Sequence, residues 1–93
     1  MCTYITMQSP MSGSGLAAGE WFRLDRAVVY FDHPQDAPVD HAVCLDFRPS
    51  QGPADRRASV ELDAASARRL AETILELLAN DEVRALEPSE VAL

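Results

Sequence analysis

Basic residues are scarce in this chain of 93 residues: eight stand against fifteen acidic ones, for a net charge of −7. That balance repels phosphate backbones and anionic lipid headgroups, so neither nucleic acid nor a membrane is an expected partner. The only basic clusters, at 56–57 and 68–69, have acidic residues close by. Cysteine is scarcer still, with two residues. Cys2 and Cys44 lack CxxC spacing, which fits the reduced thiols of a cytoplasmic protein better than a disulfide framework. No basic segment leads into a long apolar run, so neither a signal peptide nor a transmembrane helix is read at the N-terminus. Also missing are a nucleotide fingerprint, a Ser-His-acid order and a carboxylate pair that stands out of the acidic background, which makes an enzyme the minority reading.

What is present is ordinary globular composition, 47% hydrophobic and 25% charged, in a chain long enough for one domain spanning 1–93. A domain this small buries a modest core, and a second copy is expected to cover what remains exposed. The chain is organised around residues 27–48, two apolar-alternating runs joined by a proline-containing loop with a histidine at each end. Alternation puts Val29, Phe31 and His33 on one face of the first run and His41, Val43, Leu45 and Phe47 on one face of the second. In an antiparallel hairpin both apolar rows must share a side, because a slip of one residue would turn one row out. The simplest register opposes His33 to His41, Phe31 to Val43 and Val29 to Leu45, with Tyr30 behind them opposite Cys44. Continued further it sets Arg26 against Arg48, a like-charge pair that argues for pairing to stop near Ala27 or to shift by two.

Residues 2–7 are rich in β-branched and aromatic types and read as a first strand, whereas 8–19 collect Pro, Ser and three of the four glycines and read as a flexible loop. Residues 20–26 are a strand or a bend feeding the central hairpin. Trp21 there is expected to be a core or interface anchor, and a ligand platform if exposed. Residues 48–57 hold two prolines and a glycine and read as a surface loop. Residues 58–63 alternate as a last strand, Asp63 is placed to cap a helix, and from Ala64 to Ala79 the residues Ala67, Leu70, Ala71, Ile74, Leu77 and Leu78 recur at helical spacing. Ile74 lies in the middle of that stripe and is expected in the core. Asn80 is a stop signal, Val83 and Leu86 suggest a short further turn, and 87–93 read as a fraying tail. The pattern gives an α+β fold: a small antiparallel sheet of about four strands with one C-terminal amphipathic helix packed on one face. The opposite face, bearing Tyr4, Val28, Tyr30, Cys44 and Asp46, is left over for a dimer contact or a shallow ligand site.

The phrases CTYIT at 2–6, SGSG at 12–15, GEWF at 19–22, YFDHP at 30–34, LDF at 45–47 and VELDAASARRLA at 60–71 resemble a family of small actinobacterial proteins of unknown function. The resemblance implies an origin in a high-GC bacterium and assigns no chemistry.

Three functional readings follow. The first is a small cytoplasmic, non-enzymatic interaction or accessory protein acting as a homodimer. The second is a small-molecule-binding or catalytic module at the hairpin mouth, with His33, His41, Tyr30 and Trp21 as candidate ligand residues. The third is a protein that binds a divalent metal, zinc or iron, through His33 and His41, with Cys2 and Asp40 as candidate further ligands. The structural alternative for the histidines is that they cap the strand ends by hydrogen bonding, since a zinc site needs three or four ligands rather than two.

Overall fold

The computed structural model describes residues 5–52 and 56–87. In chain order the elements are β1 (Ile5–Ala17), β2 (Glu20–Asp32), β3 (Ala42–Arg48), β4 (Ala58–Leu62), α1 (Ala64–Leu78) and α2 (Asp81–Leu86). The strands form one antiparallel sheet in the order β1-β2-β3-β4, so the fold is α+β as the patterning implies. Cys2 and Tyr4 of the expected first strand, and most of the expected tail, lie outside the described residues. No helix among the described residues is long and apolar enough to cross a membrane.

The central hairpin has the simplest register: Phe31 opposes Val43, Val29 opposes Leu45 and Tyr30 opposes Cys44. Pairing continues through Arg26 and Arg48 instead of stopping before them. Their side chains are drawn apart by different partners. Arg26 Nη1 donates to Gln8 Oε1 at 3.3 Å, and Arg48 Nη2 donates to Asp46 Oδ2 at 3.1 Å.

Residues 8–19 are not a loop, which corrects the reading from composition. Residues 8–17 continue β1 along β2, and only Ala18 and Gly19 turn the chain. The thirteen-residue β2 offers a full row of backbone partners, and satisfying them outweighs the weak strand propensity of Ser and Gly. The disruptive residues sit where a strand accepts them. Pro10 adjoins a β-bulge on an edge strand, where Met11 and Ser12 oppose the single residue Asp25. Gly15 lies so close to Leu24 that a Cβ would come within 3.1 Å of Leu24 Cδ1.

Pairing on both sides of the hairpin extends its apolar face into a lattice. Ile5, Phe31, Val43 and Leu62 form one cross-strand row, Met7, Val29, Leu45 and Val60 the next, and Ala27, Phe47 and Ala58 belong to a third. Leaving β4, the chain enters α1 through Asp63, whose carboxylate accepts the Ser66 amide at 2.6 Å, and the helix folds back over this lattice. Asn80 caps a second, short helix by accepting the amides of Glu82 and Val83. α1 lies against β3 and β4 and stands off the sheet, bounding an apolar groove of about 410 Å³ lined by Val29, Leu45, Phe47, Leu70 and Ile74 among others. Ile74 is therefore 49% exposed and not a core residue.

Burial is greater on the other face. Leu24, Ala42, Cys44 and Asp46 are buried, and alternation places all four on the side away from α1, where the sheet curls until β1 meets β4. Of the face expected to be left over, Cys44 and Asp46 are buried, while Val28 and Tyr30 remain half-buried. The exposed large apolar strand residues Ile5, Met7, Leu16, Trp21 and Val60 alternate onto the helix side. Trp21, 69% exposed, is not a core anchor.

The β1–β2 turn contains a correctable strain. Ala18 has φ of 53° and Gly19 of 78°, the signature of a two-residue hairpin turn that favours Asn-Gly over Ala-Gly. Ala18→Asn is expected to raise stability by about 0.5–1 kcal/mol, because Asn tolerates the left-handed region better than Ala. Thermal or urea unfolding checks this; an unchanged or lowered midpoint would contradict it.

Candidate functional site

The hairpin mouth holds the two histidines as the alternation requires. The His33 and His41 ring centroids are 4.4 Å apart with the planes tilted by 32°, and His41 stacks on Phe31 with centroids 5.5 Å apart and planes 17° apart. Three rings thus run in sequence from the apolar lattice to the surface, with His33 outermost and exposed. His33 Nδ1 lies 3.0 Å from the Asp40 carbonyl oxygen. A carbonyl only accepts, so Nδ1 carries the proton and Nε2 carries the lone pair of the neutral ring. The His33 amide donates to Asp32 Oδ1 at 2.7 Å, which turns that carboxylate to its own backbone. Asp40 contributes its carbonyl to this arrangement. Cys2 lies outside the described residues, and among the described residues no group of three His, Cys, Asp or Glu side chains is placed to hold a metal.

The other candidate ligand residues do not join the histidines. Tyr30 points to the opposite face, where it lines a pocket of about 260 Å³ with Gln35, Cys44, Asp46, Arg57, Ser59 and Glu61. Trp21 sits by the β1–β2 turn, beside a shallow cleft with Ser12, Gly13 and Ser14. The four residues are spread over three places in the fold.

Within the Tyr30 pocket, charge is tied down. Asp46, 5% exposed, accepts from Ser59 Oγ at 2.8 Å and from Arg48 at 3.1 Å. Burial raises the pKa of the Cys44 thiol, and nearby Glu61, Asp32 and Asp46 raise it further. Tyr30 is likewise pushed up, first by burial and then by Asp46. Both shifts favour the protonated groups, the reverse of what activates a thiol or phenol as nucleophile.

Glu61 is the residue that sequence reasoning missed. Its carboxylate accepts three consecutive backbone amides, from Gln35, Asp36 and Ala37, and so fastens the 33–41 loop to β4. Alternation in 58–62 shows Glu61 on the wet face, but its partners are amides 24 to 26 residues away, which no local pattern reveals.

The profile of a family described only as a family of unknown function, DUF6295, matches residues 1–87. The chain belongs to this family. Comparison with curated proteins and with solved structures finds no match. Membership in DUF6295 therefore transfers no residue roles, and the geometry alone carries the functional argument.

The Glu61 latch has a defined pH dependence. The three amides hold its carboxyl below the ordinary value of 4.5, in the order Gln35, Ala37, Asp36. With the folded pKa below the unfolded one, the latch contributes fully at pH above the ordinary value and is lost as pH falls through the lowered one. Glu61→Gln is expected to lower the unfolding midpoint at neutral pH, and the gap to wild type should close as pH falls through the lowered pKa of Glu61, where its carboxyl becomes uncharged in the folded chain as well. Parallel curves with a constant gap down to acid pH would contradict the assignment.

Proposed function

We propose that this protein is a small, non-enzymatic interaction or accessory protein that works as a homodimer, and that its helix-side face is the dimer surface. The observation that carries the proposal is the unfinished lattice: α1 covers the β3–β4 side, while Ile5 and Met7 on β1 stay more than 60% exposed beside Phe31 and Val29. On the helix, Leu70, Ile74, Leu77 and Leu78 are also exposed.

Areas support a second copy as the occupant. The chain exposes 7240 Å², whereas a compact monomer of 10.2 kDa exposes about 5300 Å² on the area–mass scaling of folded proteins. That excess of about 1900 Å² is more than the roughly 800 Å² each partner loses in a standard interface. Its radius of gyration, 15.0 Å, compares with about 12 Å for a compact chain of this length. β1 adds a further reason: from Ile5 to Ala17 this edge strand carries no charged residue, and edge charges are the usual defence against association. The non-enzymatic part of the reading is supported by the protonated thiol and phenol of the Tyr30 pocket and by the occupied carboxylates of Asp46 and Glu61. A cytoplasmic location and an actinobacterial origin belong to the same proposal. They rest on cysteine usage and on the phrase resemblance.

Light scattering is expected to give twice the chain mass, and a monomer at every accessible concentration would overturn the proposal. Met7→Glu and Leu78→Glu alter side chains that are exposed in the single chain, so each variant should fold. Each should weaken the dimer by about 30-fold or more, the factor matching the 2 kcal/mol typical of an interface hot spot. Dimers of undiminished affinity in both variants would place the interface elsewhere.

A further inference from the structure

We propose that His33 and His41 form a two-histidine chelate for a late first-row divalent metal ion, Ni²⁺, Cu²⁺ or Zn²⁺, whose remaining coordination positions are open to water or to a small exogenous ligand. This is independent of the dimer proposal.

Three features of the pair suit it to metal binding. Cross-strand opposition is built into the register, because Phe31 opposes Val43 and Asp32 opposes Ala42, so the next positions out are 33 and 41. The rings already lie 4.4 Å apart, which leaves little chain entropy to lose on bridging them with an ion. His33 also has the arrangement found for metal-bound imidazoles: Nδ1–H is held by the Asp40 carbonyl, and the Nε2 lone pair is presented outward from an exposed side chain.

Ligand chemistry narrows the ion. Imidazole nitrogen suits nickel, copper and zinc, and affinity for a nitrogen site rises along the series toward copper. Two protein ligands fall short of a structural zinc site, which needs four, so the bound ion keeps open positions. Local charge favours a cation, since Asp32, Asp36 and Asp40 all belong to the segment around the pair and the whole chain carries a net charge of −7. Binding also demands a movement. In the stack the planes are only 32° apart, and two imidazoles on one square-planar ion must point their lone pairs at roughly a right angle. Stacking on Phe31 restrains His41, so the adjustment falls to the exposed His33, as a tilt of its ring that keeps Nδ1–H on the Asp40 carbonyl.

The test uses the full chain and Ni²⁺, which does not oxidise thiols, at mildly alkaline pH where free imidazole is neutral. Calorimetric titration should give one ion per chain, and Ni²⁺ should raise the melting temperature, as any ligand that binds only the folded state does. His33→Phe and His41→Phe keep an aromatic ring in the stack but remove the ligand nitrogen. Each should weaken binding by at least about tenfold, the lower end of what losing even an outer-shell partner costs a metal site. In the wild type, the histidine ring proton resonances should shift or broaden together on adding Ni²⁺. Binding that survives in both variants, or that vanishes only with Cys2→Ser, would overturn the proposal, and so would the absence of binding in the wild type.

Discussion

Strand alternation in the central hairpin governs most of what this protein is. Once Phe31 opposes Val43 and Val29 opposes Leu45, every odd-numbered residue of β2 and β3 faces one side and every even-numbered residue the other. A one-residue slip would exchange a face of Val, Leu and Phe for one of Tyr, Cys, Asp and Arg. The strength of that preference holds the register even through the Arg26–Arg48 opposition, where two like charges meet and are drawn off to Gln8 and Asp46. Outer strands continue the same two faces: Ile5 and Met7 extend the apolar rows on β1, and Val60 and Leu62 extend them on β4, where the numbering changes parity.

The two faces then meet different fates. The even-numbered face buries Leu24, Ala42, Cys44 and Asp46 within the single chain, through the curl of the sheet and the 33–41 loop that Glu61 fastens through three amides. Asp46 can be buried there because Ser59 and Arg48 satisfy its carboxylate, whereas the buried Nε atoms of Arg26 and Arg48 have no hydrogen-bond partner among the described residues. The odd-numbered face has one helix for a cover, and a single helix about 10 Å wide cannot roof four strands spaced about 4.8 Å apart. An open apolar margin on the β1–β2 side is the geometric result. The histidine pair sits at one end of this same face, where the ring sequence Phe31, His41, His33 passes from apolar to wet.

Much of this was legible from residues alone. The hairpin register, the proximity of His33 and His41, the β4 strand, the Asp63 cap and the apolar stripe of α1 all rest on local periodicity or on capping chemistry, and each is present. Residues 8–17 were misread because composition speaks for the isolated segment, whereas strand formation depends on the partner that β2 supplies. The Glu61 latch was hidden for a related reason: a carboxylate on a wet face looks the same whether it meets water or three distant amides.

Alternation and spacing, properties of neighbouring residues, therefore determined which side chains share a face, where the helix begins and that the two histidines meet. Tertiary structure alone decided which face is the more deeply buried. Nothing in the period of the even-numbered row separates it from a solvated surface, and nothing in the stripe of α1 says how far the helix reaches over the sheet. Those outcomes depend on sheet curl, on the angle at which α1 leaves β4 and on a loop contact across 24 to 26 residues. Each is a sum over distant pairs, so a chain with the same local patterns could have buried the other side more deeply.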